Sequence, residues 1–332
     1  MKIEKLWEAV RGLDNVTGYS QKLRLRVRDG KMVEEETFRV YVADKLPLKE
    51  LRLGRRVPPE IEGIPTDVWQ IGPMVIPPLM GLSSLAYTQR ERPLVAGISI
   101  GNEAITAGTH GWYFEQNGEI GIGSNAHVIA EDPLKAGSPE RDILQPGRYD
   151  GGKVPDDKVA TYKWHQQLYG GMSACPLGQG ATWLGNKISD LVGARTKFKT
   201  ITEGENKIDF GVTYEPVVDY KLELHRAKEW AGMIGLGFAG SDQASFFCKV
   251  GNILATGWRP TDVDIYEPQV EDVVHKIGRT TEYNNGKVLD DCAHGTVNYG
   301  GLNYIEFDDL IMTEPMLQGG DSGDSGWRKL MI

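Results

Sequence analysis

The stretch GISIGNEAITAGTHGWYFEQNGEIGIGSNAHVIA (97–130) decides the class of fold. Short runs rich in β-branched and aromatic residues follow one another here, punctuated by glycine, asparagine and threonine. Asn117-Gly118, between WYFEQ and EIGIGS, is the pair a two-residue hairpin turn prefers, because both turn residues must take positive φ. The stretch reads as strand and turn, ending where NAHVIA gives way to a short turn.

Working outward, residues 1–90 read as a separate layer, with a helix over roughly 2–12 and paired strands in KLRLRVR (22–28) and FRVYVA (38–43). The prolines of 73–78 act as a linker. Residues 131–206 are looser, with the loop-like EDPLKAGSPERD and GGMSACPLGQG and a helix expected near 179–194; IDFGVTY (208–214) then reads as a buried strand. A second strand-rich block runs from about 231 to the end, clearest in GKVLDDCAHGTVNYGGLNYIEFDDLIM (286–312). The chain is expected to be mainly β.

Composition narrows the function classes. The 332 residues carry a net charge of −9, with 46 acidic against 37 basic side chains, which argues against general affinity for nucleic-acid backbones or anionic membranes. MKIEKLWEAVRG lacks the apolar run of a secretion signal, and IGPMVIPPLMGL (71–82) is too short and too proline-rich to cross a bilayer, so a soluble cytoplasmic protein is expected. Three cysteines (Cys175, Cys248, Cys292) without C-x-x-C spacing suggest neither a disulfide framework nor a zinc site.

Three residues could carry chemistry. In LQGGDSGDSGW (317–327) a serine flanked by glycines leaves its hydroxyl exposed and its backbone free to turn sharply, aiming N–H groups at one oxygen. The plain alternative is a flexible Gly/Ser tail. Of the six histidines (110, 127, 165, 225, 275 and 294), His127 follows a strand and has small neighbours that give the imidazole room; alternatively it is a core histidine bonded to a carbonyl. Asp209, between Ile208 and Phe210 in NKIDFGV, is a carboxylate that burial would force to find a polar partner, or else a surface aspartate at a strand start. No H-E-x-x-H or paired-histidine spacing points to a metal.

Taken together, LVAGISIGNEAITAGTHGWYFEQNGEIGIGSNAHVIA (94–130), ILQPGRYDGGKVPDDKVAT (143–161), NKIDFGV (206–212), HKIGRTT (275–281) and GGDSG (319–323) resemble the trypsin-like peptidases related to plant NARROW LEAF 1. KLPLKEL (45–51) and IEGIPTDV (61–68) look like the N-terminal extension of bacterial members. The resemblance implies a chymotrypsin-like double β-barrel with a small α+β N-terminal extension: residues 1–90 as extension and linker, 91–230 as the first barrel, 231–332 as the second. It implies a serine endopeptidase with His127, Asp209 and Ser322 as the triad, in the order found in chymotrypsin. Further implied are Gly320 and Ser322 as backbone oxyanion donors, Met316 and Leu317 in the substrate pocket, a peptide or protein substrate, and no metal or organic cofactor. The oligomeric state stays open.

The sequence departs from the family pattern in that Asp324 follows GDSG directly, GLGFAGS (235–241) lies upstream of the serine, and Glu282 stands where glycine is common. The doubled GDSGDSG offers Ser325 as a second register; Ser322 is preferred because it puts Met316, Leu317 and Gly320 at the expected upstream places. With few residues after Gly326, the second barrel needs another strand, and residues 232–241 are expected to supply it near the Ser322 loop, with Gly237 on the cleft wall. Two other readings compete. GLGFAG (235–240) satisfies G-x-G-x-x-G and would suit a dinucleotide-binding enzyme, although βαβ rhythm is lacking. An incomplete second barrel would suit a catalytically impaired binding or scaffolding module.

Overall fold

The computed structural model describes residues 3–13, 15–28, 31–47, 49–51, 56–74, 85–170, 176–191, 204–222, 229–240, 243–299 and 304–328. Cys175, His225, Ser241 and most of the proline linker fall outside them. The chain is mainly β, as its sequence suggests.

The opening residues form α1 (Ile3–Glu8), β1 (Val16–Ser20), β2 (Arg24–Arg28), β3 (Lys31–Val42), β4 (Glu60–Ile61) and β5 (Ile64–Gln70), followed by the short α2 (Leu85–Thr88). A second group holds β6 (Ser99–Asn102), β7 (Gly108–Thr109), β8 (Trp112–Gln116), β9 (Glu119–Ser124), α3 (Ala126–Ile129), β10 (Asp142–Leu144), β11 (Lys158–His165), α4 (Pro176–Leu191) and β12 (Gly211–Thr213). The last comprises β13 (Glu229–Gly240), β14 (Ala244–Lys249), α5 (Val250–Leu254), β15 (Arg259–Pro260), β16 (Asp264–Ile265), β17 (Val273–Gly278), β18 (Glu282–Asn298), β19 (Tyr304–Thr313) and β20 (Ser325–Arg328).

The middle group, joined by β15 from the last group, builds an eight-stranded sheet in the order β15-β8-β9-β12-β11-β10-β6-β7. Its β8–β9 hairpin turns on Asn117 and Gly118, with φ of 54° and 83°, as the Asn-Gly pair requires. In the other sheet, β17-β20-β13-β14-β19-β18 run in sequence, and β17 also pairs with β18, so these six strands close into a ring. The closing strand β20 lies just past Ser322, between β13 and β17. The strand expected over 232–241 is thus β13, and its pairing with β20 and β14 completes the ring from an earlier place in sequence. GLGFAG lies inside this strand and leads into another strand, so it is not the glycine turn opening a helix that a dinucleotide site needs.

The opening layer joins the ring edge to edge, through Gly18 paired with Gly295 and Tyr19 with His294. A Cβ at Gly18 would stand 2.1 Å from the His294 carbonyl oxygen, so only glycine permits this approach. Glu282, at the start of β18, has φ 54°, the left-handed conformation that explains why glycine suits this position.

Two-residue alternation sorts the core. On β14, Phe246 and Cys248 face a cluster shared with Trp112, Phe114, Phe210 and Val212 of the other sheet, while Phe247 joins Val274, Val288 and Ile311 inside the ring. A further cluster, including Ile98, Tyr113, Ile122, Val128 and Ile143, packs within the eight-stranded sheet's own group of residues. The shared cluster holds the sheets together, and the candidate site stands at their seam. Truncating Phe246, which is fully buried in that cluster, to alanine is expected to cost about 3–5 kcal/mol, read as a lower urea midpoint.

Candidate active site

Strand β9 ends at Ser124, and the chain passes through Asn125 into α3, a single helical turn that carries His127. Asp209 lies two residues before β12, which pairs with the end of β9 through Gly211 and Ser124. This pairing sets the imidazole against the carboxylate: His127 Nδ1 donates to Asp209 Oδ2 at 2.5 Å, and the His127 backbone N–H donates to Oδ1 at 3.3 Å. Asn125 Nδ2 donates to the Asp209 carbonyl at 2.7 Å, tying the two segments a third time. With Nδ1 protonated toward the carboxylate, Nε2 carries the lone pair, and it is buried without a hydrogen-bond partner among the described residues.

Asp209 is fully buried. Burial pushes its carboxyl pKa up, but the charge and hydrogen bonds of His127 and the hydrogen bond from Tyr299 outweigh that and hold it below the ordinary value of 3.8. The Tyr299 hydroxyl donates to Asp209 Oδ2 at 2.7 Å, and its ring meets the imidazole edge-on with centroids 5.9 Å apart. Tyr299 directly follows β18, so the ring sheet helps orient a pair that belongs to the other sheet. Nothing local in TVNYGG (296–301) separates it from an ordinary core tyrosine, and sequence reasoning missed it. Burial and the Asp209 charge push its phenol well above the usual range.

Ser322 stands in the loop between β19 and β20 and is 5% exposed. The loop is pressed onto the other sheet: Thr109 N–H donates to the Ser322 carbonyl at 2.8 Å, and Thr109 Oγ1 donates to the Gly320 carbonyl at 2.9 Å. Gly320 and Gly323 have φ of 97° and 92°, and a Cβ on Gly323 would lie 1.9 Å from Ser124 Oγ. A Cβ on Gly108 would meet both Val128 Cγ2 (2.4 Å) and the Ser322 carbonyl oxygen (3.0 Å), so the serine loop and the turn bearing His127 share Gly108 as a neighbour. Among the described residues, Ser322 Oγ makes no hydrogen bond, and the amides of Gly320 and Ser322 have no acceptor.

Ser325 differs. It lies on β20, with Ile234 and Ile277 as register partners on either side. Met316 and Leu317 are 1% and 4% exposed in the ring interior, and their amides donate to Ser245 Oγ at 2.8 and 2.9 Å; they underlie the serine loop and present no open face. Gly237 lies on β13, two residues past Gly235, whose N–H donates to the Asp324 carbonyl and whose carbonyl accepts from Gly323 N–H, both at 2.9 Å. A bidentate pair that sequence reasoning also missed closes the seam nearby: Arg279 Nε donates to Asp150 Oδ2 at 2.7 Å while Nη2 engages Oδ1.

The remaining described histidines have other partners. His110 Nδ1 donates to the Val95 carbonyl, and burial lowers its pKa to about 4; His165 meets Tyr162 and the Lys135 carbonyl; His275 meets the Tyr283 hydroxyl; His294 meets Asp308 beside Trp7 and Tyr19. Among the described residues no group of three or more His, Cys, Asp or Glu side chains is arranged to hold a metal, and no helix is long and apolar enough to cross a membrane. Compared with known proteins, the chain matches no family model and no curated protein.

Because the Asp209 pKa is depressed on folding, its ionised form stabilises the protein above the unfolded value near 3.8, and this support is lost as pH falls through the lower folded value. Tyr299→Phe removes one donor and raises the folded value. The variant is expected to unfold at a higher pH than wild type in an acid titration followed by circular dichroism, with a neutral-pH stability loss of about 1.5–3 kcal/mol.

Proposed function

We propose that this chain is a serine endopeptidase of the trypsin-like class, with a chymotrypsin-like pair of barrels and the relationship to NARROW LEAF 1 peptidases that its motifs suggest. The observation that carries this reading is the His127–Asp209 pair, held at 2.5 Å with Nε2 unpartnered at the seam where the Ser322 loop docks. The closed six-stranded ring beside an eight-stranded, partly curled sheet supports the architecture.

In this mechanism a peptide carbonyl sits beside Ser322. His127 Nε2 takes the hydroxyl proton as Oγ attacks, and Asp209 steadies the imidazolium through Nδ1–H. The Gly320 and Ser322 amides, without acceptors among the described residues, receive the developing oxyanion. Nε2 then gives its proton to the departing amine, leaving an acyl-enzyme that water hydrolyses by the same steps in reverse order. Ser322 is the nucleophile and Ser325 is not, because Ser325 belongs to a strand flanked on both sides.

A second reading, a binding or scaffolding module on a protease fold, is favoured by one observation: Ser322 Oγ is not hydrogen-bonded to His127 Nε2. Substrate-free sites often show such loose contacts, which tighten when substrate binds. A fluorophosphonate probe separates the readings. Wild type and Ser325→Ala are expected to label, while Ser322→Ala loses labelling and about 10⁴-fold or more in peptidase rate. Labelling mapped to Ser325 would overturn the register, and an unlabelled wild type would favour the scaffold.

A further inference from the structure

Lys276, on β17, has a side chain with 0% exposure, as do Asp321 and Asp324, the residues one before and two after Ser322. Its Nζ lies 2.9 Å from Asp321 Oδ2 and 2.9 Å from Asp324 Oδ2, and it also donates to Thr281 Oγ1. An ammonium is not carried into a protein interior without compensation, so three buried ionisable groups around one loop form a built feature. Their space is reserved by glycines: a Cβ on Gly278 would stand 2.4 Å from Asp321 Oδ1, and one on Gly235 would stand 2.0 Å from Asp324 Oδ1.

The two carboxylates are held unequally. Asp321 Oδ1 accepts from the amides of Thr280 (2.8 Å) and Thr281 (3.1 Å), and Oδ2 accepts from Thr281 Oγ1 (2.7 Å), Gln318 N–H (3.0 Å) and Lys276 (2.9 Å). Among the described residues Asp324 meets Lys276 and packs against Gly235, and neither of its carboxylate oxygens makes a well-aligned hydrogen bond. We infer that Lys276 and Asp321 form an internal ionic clamp that positions the oxyanion-binding loop, with Lys276 as the positioning residue. This rests on the peptidase reading above.

The clamp acts through geometry. Asp321 lies between the two residues whose amides serve the oxyanion. Its side chain is drawn beneath the loop by Lys276 and the Thr280–Thr281 turn, while the flanking carbonyls of Gly320 and Ser322 are drawn outward onto Thr109. With side chain and carbonyls both engaged, the backbone turns through Gly320 at φ 97°, and the two N–H groups are left without acceptors among the described residues. Burial alone would lower the Lys276 ammonium, but Asp324 and Asp321 together raise it above its ordinary value, so the clamp stays charged. Asp324 is the weak partner: burial, with the neighbouring Asp321 charge, pushes it up to about 7 despite Lys276.

Two isosteric variants divide the roles. Asp321→Asn keeps the side chain's size but removes its charge, so the clamp weakens and the loop is released from its native position; it is expected to lose about 10²–10³-fold in kcat, the scale of a lost oxyanion donor, with KM within about 3-fold. Asp324→Asn leaves Asp321 and Lys276 paired and is expected to keep kcat within about 3-fold. Equal kcat losses in the two, or a loss in Asp321→Asn carried by KM, would overturn the proposal. Hydrogen exchange gives a readout that needs no activity. In Asp321→Asn and in Lys276→Met, residues 318–325 are expected to exchange at least about 10-fold faster, with β10 and β11 unchanged. Unchanged exchange over 318–325 would overturn the clamp even if the wild type were inactive. If Lys276→Met fails to fold, Asp321→Asn carries the test.

Discussion

A carboxylate removed from water stays ionised only if donors reach it, and at the seam of this protein the donors come from the other side. Asp209 belongs to the eight-stranded sheet and takes a hydroxyl from Tyr299 of the ring; Asp150, between β10 and β11 of the same sheet, takes the guanidinium of Arg279 from the ring's β17–β18 turn. Each acid also has a donor on its own side, His127 for Asp209 and Ser99 for Asp150, but its full set of donors is complete only when both sheets are folded and docked. The His127–Asp209 pair and the sheet interface are therefore one cooperative arrangement, and apolar packing of Trp112, Phe114 and Phe210 against Phe246 supplies the bulk attraction that brings the donors within reach.

Thr109 is the smallest expression of the same constraint. Its N–H and hydroxyl donate to the carbonyls of Ser322 and Gly320, its hydroxyl accepts from Arg279 N–H, and its carbonyl accepts from Ser124 Oγ. One residue on a two-residue strand thus connects the serine loop, the ring turn and the strand leading to His127. The loop's glycines follow from this crowding: any side chain at Gly323 would strike Ser124.

Much of this was legible in the chain because it is local. Asn117-Gly118 requires a hairpin whatever surrounds it, alternation in the strands follows from the two-residue repeat, and a serine between glycines or a histidine after a strand can be recognised from immediate neighbours. The strand over 232–241 was readable from its apolar, glycine-rich character. Met316 and Leu317 were harder: their position before the serine suggests a pocket, and both are buried with Phe247, Val274, Val288 and Ile311 of the ring, a burial that depends on how the segment after β19 folds back and not on its own sequence.

The sequence alone determined the β class, the turn at 117–118, and the residue types able to act as nucleophile, base and carboxylate. Only the tertiary structure decided that Tyr299 completes the Asp209 shell, that Arg279 reaches Asp150 across 129 positions, and that Lys276 lies beneath a loop 45 residues later in the chain. A buried polar side chain looks the same in sequence whichever partner it finds. Its partner is selected by which strands close the ring and how the two sheets meet, and that selection is made over distances that local propensity does not encode.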